Sequence, residues 1–361
     1  MAENKQSTNT EILEVMRDDL AKQGVNLPTT LNAETMAEVR DIVTRYPANM
    51  NAFITTLTNK IVKSKIYSKN FTNPLGKLKK GYCEYGEGIE QLFVLDASIK
   101  NFGDNSTDGG TDEGALIRKR IPEVKSMYIT INYDKEGKAT VTNKQLRKAF
   151  MSETGLAGLV ASIVQSVQNG LEKKEFKTTK NLIGALIQGK QIDCQTDTIS
   201  ATAIDSSVWK QNLVEVSYTG GISGNSKKLL KDLRTYARNF TFPSNKYNPA
   251  QVETWSNKED LVFITTPEVE AEIDVETLAS AFNPEFCDIK YDVIIVDEIP
   301  TTDGNAFGVL MDKDFLQIWD TWKDASSFYN PKGQYTNYFG NNENIFAGCL
   351  YAQAVVFKKG A

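Results

Sequence analysis

Apolar positions in the first sixty residues recur at intervals of three and four, the period of a helix with one buried face. Ile12, Val15, Met16 and Leu20 share a side before Gly24. Met36, Val39 and Val43 follow Asn32, a capping residue type, and run up to Pro47, and Met50, Phe53, Ile54, Leu57 and Ile61 form a third stripe. The spacing predicts a helical arm over residues 1–63. Over residues 64–142 the pattern shifts to extended structure. Leu92 to Leu95 and Met127 to Tyr133 read as strands, with Asp134-Lys135-Glu136-Gly137 expected to turn the chain back into Lys138 to Val141. Between the first two strands lies an excursion from about Ile99 to Pro122. It carries Asp104, Asp108, Asp112 and Glu113 at a glycine-rich tip and Arg118, Lys119 and Arg120 on the return. A two-stranded arm is marginal alone, and a loop of more than about 15 residues without its own core is uncommon in a compact domain. The excursion is therefore either disordered or laid on another molecule.

Asn143 opens a helical stretch, and after a turn at Glu153 to Gly155 a longer one begins. Leu156, Leu159, Val160, Ile163, Val167 and Leu171 recur at three and four, and the pattern resumes through Leu182, Leu186 and Ile187. A continuous helix of up to about 33 residues would reach roughly 50 Å at about 1.5 Å per residue. Residues 143–189 are thus expected to be mainly helical, and a helix this long needs a support. Residues 190–300 mix strands, around Val214 to Tyr218, Leu261 to Ile264 and Val293 to Val296, with a helix from Asn225 to Asn239. A second helix follows Thr266-Pro267, a threonine before the helix and a proline at its first position being a good start. Leu278 and Phe282 are expected on its inner face, and Asn283-Pro284 ends it. Residues 301–361 combine the Asp312 to Trp322 segment, a Tyr- and Asn-rich stretch from Tyr329 to Phe339 and a last apolar strand at Ala354 to Phe357. No internal repeat or low-complexity tract is present.

At roughly 150 residues per domain, 361 residues suggest two or three structural units. The longest apolar runs, Leu261 to Ile264 and Val293 to Val296, are too short to cross a bilayer. The first residues lack the apolar centre of a secretory signal, so a cytoplasmic start is expected. A net charge of -5 leaves no basic footprint for nucleic acid. Lys227, Lys228, Lys231 and Arg234 do cluster, but alternating with Leu229, Leu230 and Leu233 they read as the wet side of an amphipathic helix.

Histidine is absent, which removes Ser-His-Asp and Cys-His nucleophiles, His-Glu-x-x-His zinc sites and the side chain that titrates near neutrality. Acid–base chemistry by paired carboxylates survives in principle, yet nothing singles out two of the 46 acidic residues. Cys83, Cys194, Cys287 and Cys349 stand singly, without a Cys-x-x-Cys pair, and read as buried free thiols. Gly220 to Lys227 misses the order of a phosphate-binding loop and reads as a turn and helix cap. Asp104 to Gly109 begins like a calcium loop, but its twelfth position is Ala115 where a bidentate Glu is required. Gly86-Glu87-Gly88 starts a dinucleotide fingerprint that nothing completes. No catalytic residue, metal or cofactor is expected; the chain reads as one whose product is a surface.

The order of parts resembles the major capsid proteins of tailed bacteriophages with the Hong Kong 97-like fold. That layout is a helical N-terminal arm, an extended two-stranded loop, a long spine helix, a central α/β axial domain and returning strands. Local wording is similar to head proteins of small podoviruses: Glu84 to Glu90 leading into the loop, Gln145 to Phe150 before the spine, Glu259 to Glu268 in the central domain and Asn337 to Phe339 near the end. The resemblance covers most of the chain from about Ser64 onward. It implies an α+β fold, with residues 190–300 as the axial domain and residues 301–361 returning to the peripheral strands. It also implies self-assembly into pentamers and hexamers of an icosahedral head around double-stranded DNA. Portal and scaffolding or decoration proteins would be partners, no membrane would be involved, and assembly would take place in the host cytoplasm. The loop from about Tyr85 to Ile121 would lie across a neighbouring subunit, with Asp104, Asp108, Asp112, Glu113, Arg118, Lys119 and Arg120 as inter-subunit contacts. Some relatives join loop lysines to distant asparagines covalently; Lys100, Lys119 and Lys125 and Asn341, Asn342 and Asn344 are the residues to weigh here. A cellular nanocompartment shell of the same fold and a carboxylate-dependent glycosidase are the alternative readings.

Overall fold

The computed structural model describes residues 9–29, 35–45, 48–49, 52–53, 56, 71–83, 88–97, 99, 121–143, 155–279 and 292–360. In chain order its elements are α1 (Asn9–Lys22), α2 (Met36–Arg45), a 3-10 turn (Pro74–Leu78), β1 (Gly81–Tyr82), β2 (Gly88–Val94), β3 (Val124–Thr130), β4 (Tyr133–Thr142) and α3 (Gly155–Ile187). There follow β5 (Lys190–Asp193), β6 (Thr198–Ala203), β7 (Val214–Thr219), α4 (Ser226–Asn239), β8 (Leu261–Thr265), α5 (Pro267–Ala279), β9 (Asp292–Ile295), β10 (Ala306–Asp312), β11 (Leu316–Asn330), β12 (Tyr335–Gly348) and β13 (Ala354–Gly360). The chain divides into two compact units. One comprises Met1–Gly76, Tyr133–Lys177 and Asp320–Asn344, and the other Lys77–Asn132, Thr178–Trp319 and Ile345–Ala361.

In the first unit α1 buries Leu13, Met16 and Leu20, which follow one another at three and four, and leaves Val15 64% exposed. The expected stripe through Val15 is thus rotated: at about 100° per residue Val15 lies on the far side from Leu13. Gly24, at φ 82°, ends the helix with the Val25 N–H turned back onto the Leu20 carbonyl at 3.0 Å. Val39 and Val43 of α2, one turn apart, are buried, and Phe53 is fully buried. Asn32, Pro47 and most of the third expected helix lie outside the described residues.

The expected turn at Asp134 to Gly137 is absent; β4 runs straight through it. Gly137 sits in mid-strand opposite Gly340 of β12, within a continuous antiparallel register from Tyr335↔Thr142 to Asn344↔Tyr133. The glycine signal has another cause. A Cβ at Gly137 would come within 3.1 Å of the Val167 side chain on α3, and one at Gly340 within 2.8 Å of the same side chain. These glycines let a helix approach a sheet, a role a strand glycine takes as readily as turning.

The second unit is built on a five-stranded sheet in the order β7-β13-β10-β8-β9. β10 is antiparallel to both its neighbours, while β13 pairs parallel with β7 and β8 parallel with β9. All five residues of β8 are buried, as a continuous apolar run covered on both sides requires. Leu229, Leu233 and Phe240 from α4 and its end, with Val269 and Ile273 of α5, join Tyr218, Phe263, Leu310 and Phe357 of the strands in one core. α5 starts at Pro267 as expected, and the Thr266 carbonyl accepts the Val269 N–H at 3.1 Å. The Leu278 side chain and Phe282 lie outside the described residues. The sheet takes β10 and β13 from beyond residue 300, so it draws on both the 190–300 and the 301–361 segments. The Asp312 to Trp322 segment holds the end of β10, a 3-10 turn and the start of β11, the turn capped by the Asp312 carboxylate, which accepts the Asp314 N–H at 2.8 Å.

Candidate assembly surface

The seven acidic and basic loop residues, Asp104, Asp108, Asp112, Glu113, Arg118, Lys119 and Arg120, lie outside the described residues. What is described is the ribbon beneath them, β2 paired antiparallel with β3 from Gly88↔Thr130 to Val94↔Val124. The pairing is extended by the Leu95 N–H, which donates to the Glu123 carbonyl at 2.9 Å. Because side chains alternate across a strand, one side carries Ile89, Gln91, Phe93, Lys125, Met127 and Ile129. This side rests on its own unit: the Phe93 ring stacks on Tyr351 with centroids 4.9 Å apart, and Ile129 is buried.

The opposite side is not covered. Leu92 is 63% exposed, Val94 56%, Val124 52% and Tyr128 72%, and beyond the paired residues Ile99 and Ile121 are more open still. The cross-strand pair Val94↔Val124 and the diagonal from Leu92 make a continuous apolar strip. Leu92, Phe93 and Val94 are three apolar residues in a row, the pattern of a strand covered on both sides. Within one chain Phe93, and Leu95 just beyond the strand, are half-buried, while Leu92 and Val94 are exposed. That run is the sequence signal for this surface.

Burial pushes the Cys349 thiol above its usual range despite the N–H groups of Tyr351 and Ala352, so it stays protonated and unreactive. Burial likewise raises the Asp312 carboxyl, although the Ser256 hydroxyl and the Asp314 N–H work against it. No group of His, Cys, Asp or Glu among the described residues has the spacing to hold a metal. Cys194 is buried as expected, but Cys83 is only half-buried, and Cys287 lies outside the described residues. Asn225 stands at the cap position of α4, yet its side chain donates backwards to the Thr219 and Gly221 carbonyls at 3.1 and 2.8 Å, holding the glycine turn rather than the helix end. Lys227, Lys228 and Lys231 are on the exposed side of that helix, with Leu229 and Leu233 beneath. Of the asparagines weighed for cross-linking, Asn342 is buried with its amide 3.4 Å from the Glu175 carboxylate, and Asn344 is fully buried.

A family model for the Phi29-like phage major capsid protein matches residues 13–358. The chain belongs to this family. As a Phi29-like major capsid protein it is a structural component of a phage head, and neither the nanocompartment nor the glycosidase reading is favoured. It is 28% identical over 330 residues to the major capsid protein of Bacillus phage PZA, covering 91% of this chain and 68% of that one. It is 30% identical over 313 residues to that of Bacillus phage GA-1, covering 86% of this chain and 61% of the relative, under two thirds of its length. A chain of the Staphylococcus phage Andhra capsid superposes with a TM-score of 0.55 at 14% identity, over 82% of this chain and 88% of that one. Those neighbours carry the Hong Kong 97-like fold, and the α+β architecture expected from the sequence is the architecture of this major capsid protein.

Proposed function

We propose that this major capsid protein assembles with itself into pentamers and hexamers of an icosahedral head that encloses double-stranded DNA, and that the β2–β3 ribbon is the element that clasps the neighbouring subunit. The observation that carries this reading is a ribbon apolar on both sides and covered on one. Head-to-tail contacts of a repeated surface close into rings when the rotation allows. In that arrangement Leu92, Val94, Val124 and Tyr128 rest on the next copy, and the loop beyond them, from Asp104 to Arg120, continues the contact. Residues 190–300 supply the axial domain around each ring, residues 1–63 an arm, residues 143–189 the spine, and residues 301–361 the returning strands.

Capsids of this kind take a portal protein at one vertex and scaffolding or decoration proteins as helpers, and assembly takes place in the host cytoplasm. No enzymatic activity is assigned. The net charge of -5 supports an inner wall that does not grip the genome, since tight phosphate binding needs clustered cations. Electron microscopy of the expressed chain is the test. Rings or closed shells are the expected result, and a chain that stays monomeric under all assembly conditions, scaffolding protein included, overturns the reading.

A further inference from the structure

The outer half of β11 is an uncovered sheet edge. In its sheet, ordered β1-β11-β12-β4, β11 has β12 on one side and only the two-residue β1 on the other. The approach on the β1 side is marked by the Lys80 N–H donating to the Ile318 carbonyl at 2.9 Å. From Trp322 to Phe328 every residue of β11 is exposed, and among the described residues no strand lies on that side of them. Such an edge presents a row of N–H and C=O groups that another strand can complete. Natural edges of this length are ordinarily blunted by proline, bulges or repeated charge; this one has no proline, and its charges are Lys323 and Asp324.

The side chains along the edge are arranged symmetrically about Ala325. Trp322 and Phe328 stand three residues to either side, on the same side of the strand, and are 44% and 65% exposed. When two copies of this edge run antiparallel with Ala325 opposite the partner's Ala325, Trp322 faces the partner's Phe328, and Phe328 faces the partner's Trp322. Asp324 then faces the partner's Ser326, and Lys323 faces the partner's Ser327. Aromatic residues meet at both ends, the smallest side chain lies at the centre, and no like charges are opposed. A shift of one residue breaks all these matches and turns the aromatic side chains to opposite sides.

We infer that the Trp322–Phe328 edge pairs antiparallel with the same edge of a second copy, about a two-fold axis through Ala325. The contact is isologous, whereas those within a ring are head-to-tail, so it joins a subunit of one ring to a subunit of the next. It rests on the capsid reading for the presence of that second copy.

A single cysteine on the axis tests it. In a Cys83→Ser background, Ala325→Cys places two sulfurs on residues whose Cα atoms are about 4.5–5.5 Å apart in antiparallel pairing, within the span of a disulfide. Lys323→Cys leaves its symmetry mate four strand positions away, about 13 Å, beyond that span. Mild oxidation of assembled particles is expected to convert most Ala325→Cys chains to dimers on non-reducing denaturing gels, with Lys323→Cys remaining monomeric. As a second measurement, Trp322→Lys combined with Phe328→Lys, both exposed positions, is expected to lower particle yield at least tenfold while the circular dichroism of the unassembled chain is unchanged. Monomeric Ala325→Cys in intact particles, cross-linking no greater than that of Lys323→Cys, or wild-type particle yield from the double lysine variant overturns the two-fold contact. Absence of particles from the wild-type chain overturns the capsid reading instead.

Discussion

Gly137 of β4 lies directly opposite Gly340 of β12, and both lie beneath Val167 and Leu171 of α3. The absence of two side chains from one place in the sheet is what lets α3 come so close. A methyl group added at Gly340 would meet Val167 at 2.8 Å and Leu171 at 3.3 Å, so the helix must lift or its side chains leave their preferred rotamers. Gly340→Val is therefore expected to cost about 1–3 kcal/mol of stability, the usual range for overpacking. Denaturant unfolding followed by circular dichroism measures this. Gly170→Ala, on the same helix with nothing within 4 Å of its added Cβ, is the control and should be neutral or slightly stabilising.

That pair also shows where reading the sequence succeeded and where it did not. The strands at Val214, Leu261 and Val293, the helix ahead of Asn239 and the long helix ending near Ile187 were legible, because each carries a local period or a terminal signal. The turn expected at Asp134 to Gly137 is absent: local chemistry cannot distinguish a glycine that bends the chain from one that admits a helix side chain, here Val167, from further along the chain. β11 and β12 were missed as long strands for a related reason. Their burial pattern changes along their length, so no single alternation runs through them. On the candidate surface, Asp104 through Arg120 lie outside the described residues, and the legible signal is the unbroken apolar run from Leu92 to Leu95.

Asp312 gives a pH dependence whose sign follows from its environment. Burial raises its carboxyl above the ordinary value of 3.8, and the Ser256 hydroxyl and Asp314 N–H only partly offset this. The folded state therefore binds the proton more tightly than the unfolded state. The stabilisation from that proton is fully present below the unfolded value and is lost as pH rises through the folded one. Asp312→Asn keeps an oxygen for the Asp314 N–H without the buried charge. Its stability relative to wild type is expected to be highest at neutral pH and to decline as the pH falls toward 3.8, read from thermal unfolding across that range. A difference that does not change with pH would contradict the assignment.

The described cysteines should separate cleanly by reactivity. Cys83 is half-buried, while Cys194 and Cys349 are buried, the latter with its thiol held protonated by burial. Because the thiolate is the nucleophile, iodoacetamide at neutral pH is expected to label Cys83 first and to reach Cys194 and Cys349 only with unfolding. Peptide mass mapping after timed quenching reads the order. Labelling of Cys349 at the rate of Cys83 in the folded chain would count against the burial described for it.

The ribbon makes the prediction that bears most directly on assembly, because two forces would compete in its proposed hold on a neighbour. If Asp104, Asp108, Asp112, Glu113, Arg118, Lys119 and Arg120 pair with a neighbour as proposed, each exposed ion pair is worth about 0–1 kcal/mol and weakens as salt rises. Fully burying an apolar side chain such as Leu92 or Val94 is worth about 1.5–3 kcal/mol, and salt does not screen it. The apolar strip should therefore dominate. Leu92→Asp with Val124→Asp is expected to abolish shells at both low and high salt, leaving a chain with native circular dichroism, since both positions are already exposed on it. Neutralising Asp104, Asp108 and Asp112 to Asn should only shift the salt concentration at which assembly occurs, followed by light scattering. Shells that survive the first pair of substitutions and vanish with the second set would reverse the order of the two forces and return the contact to the charged tip.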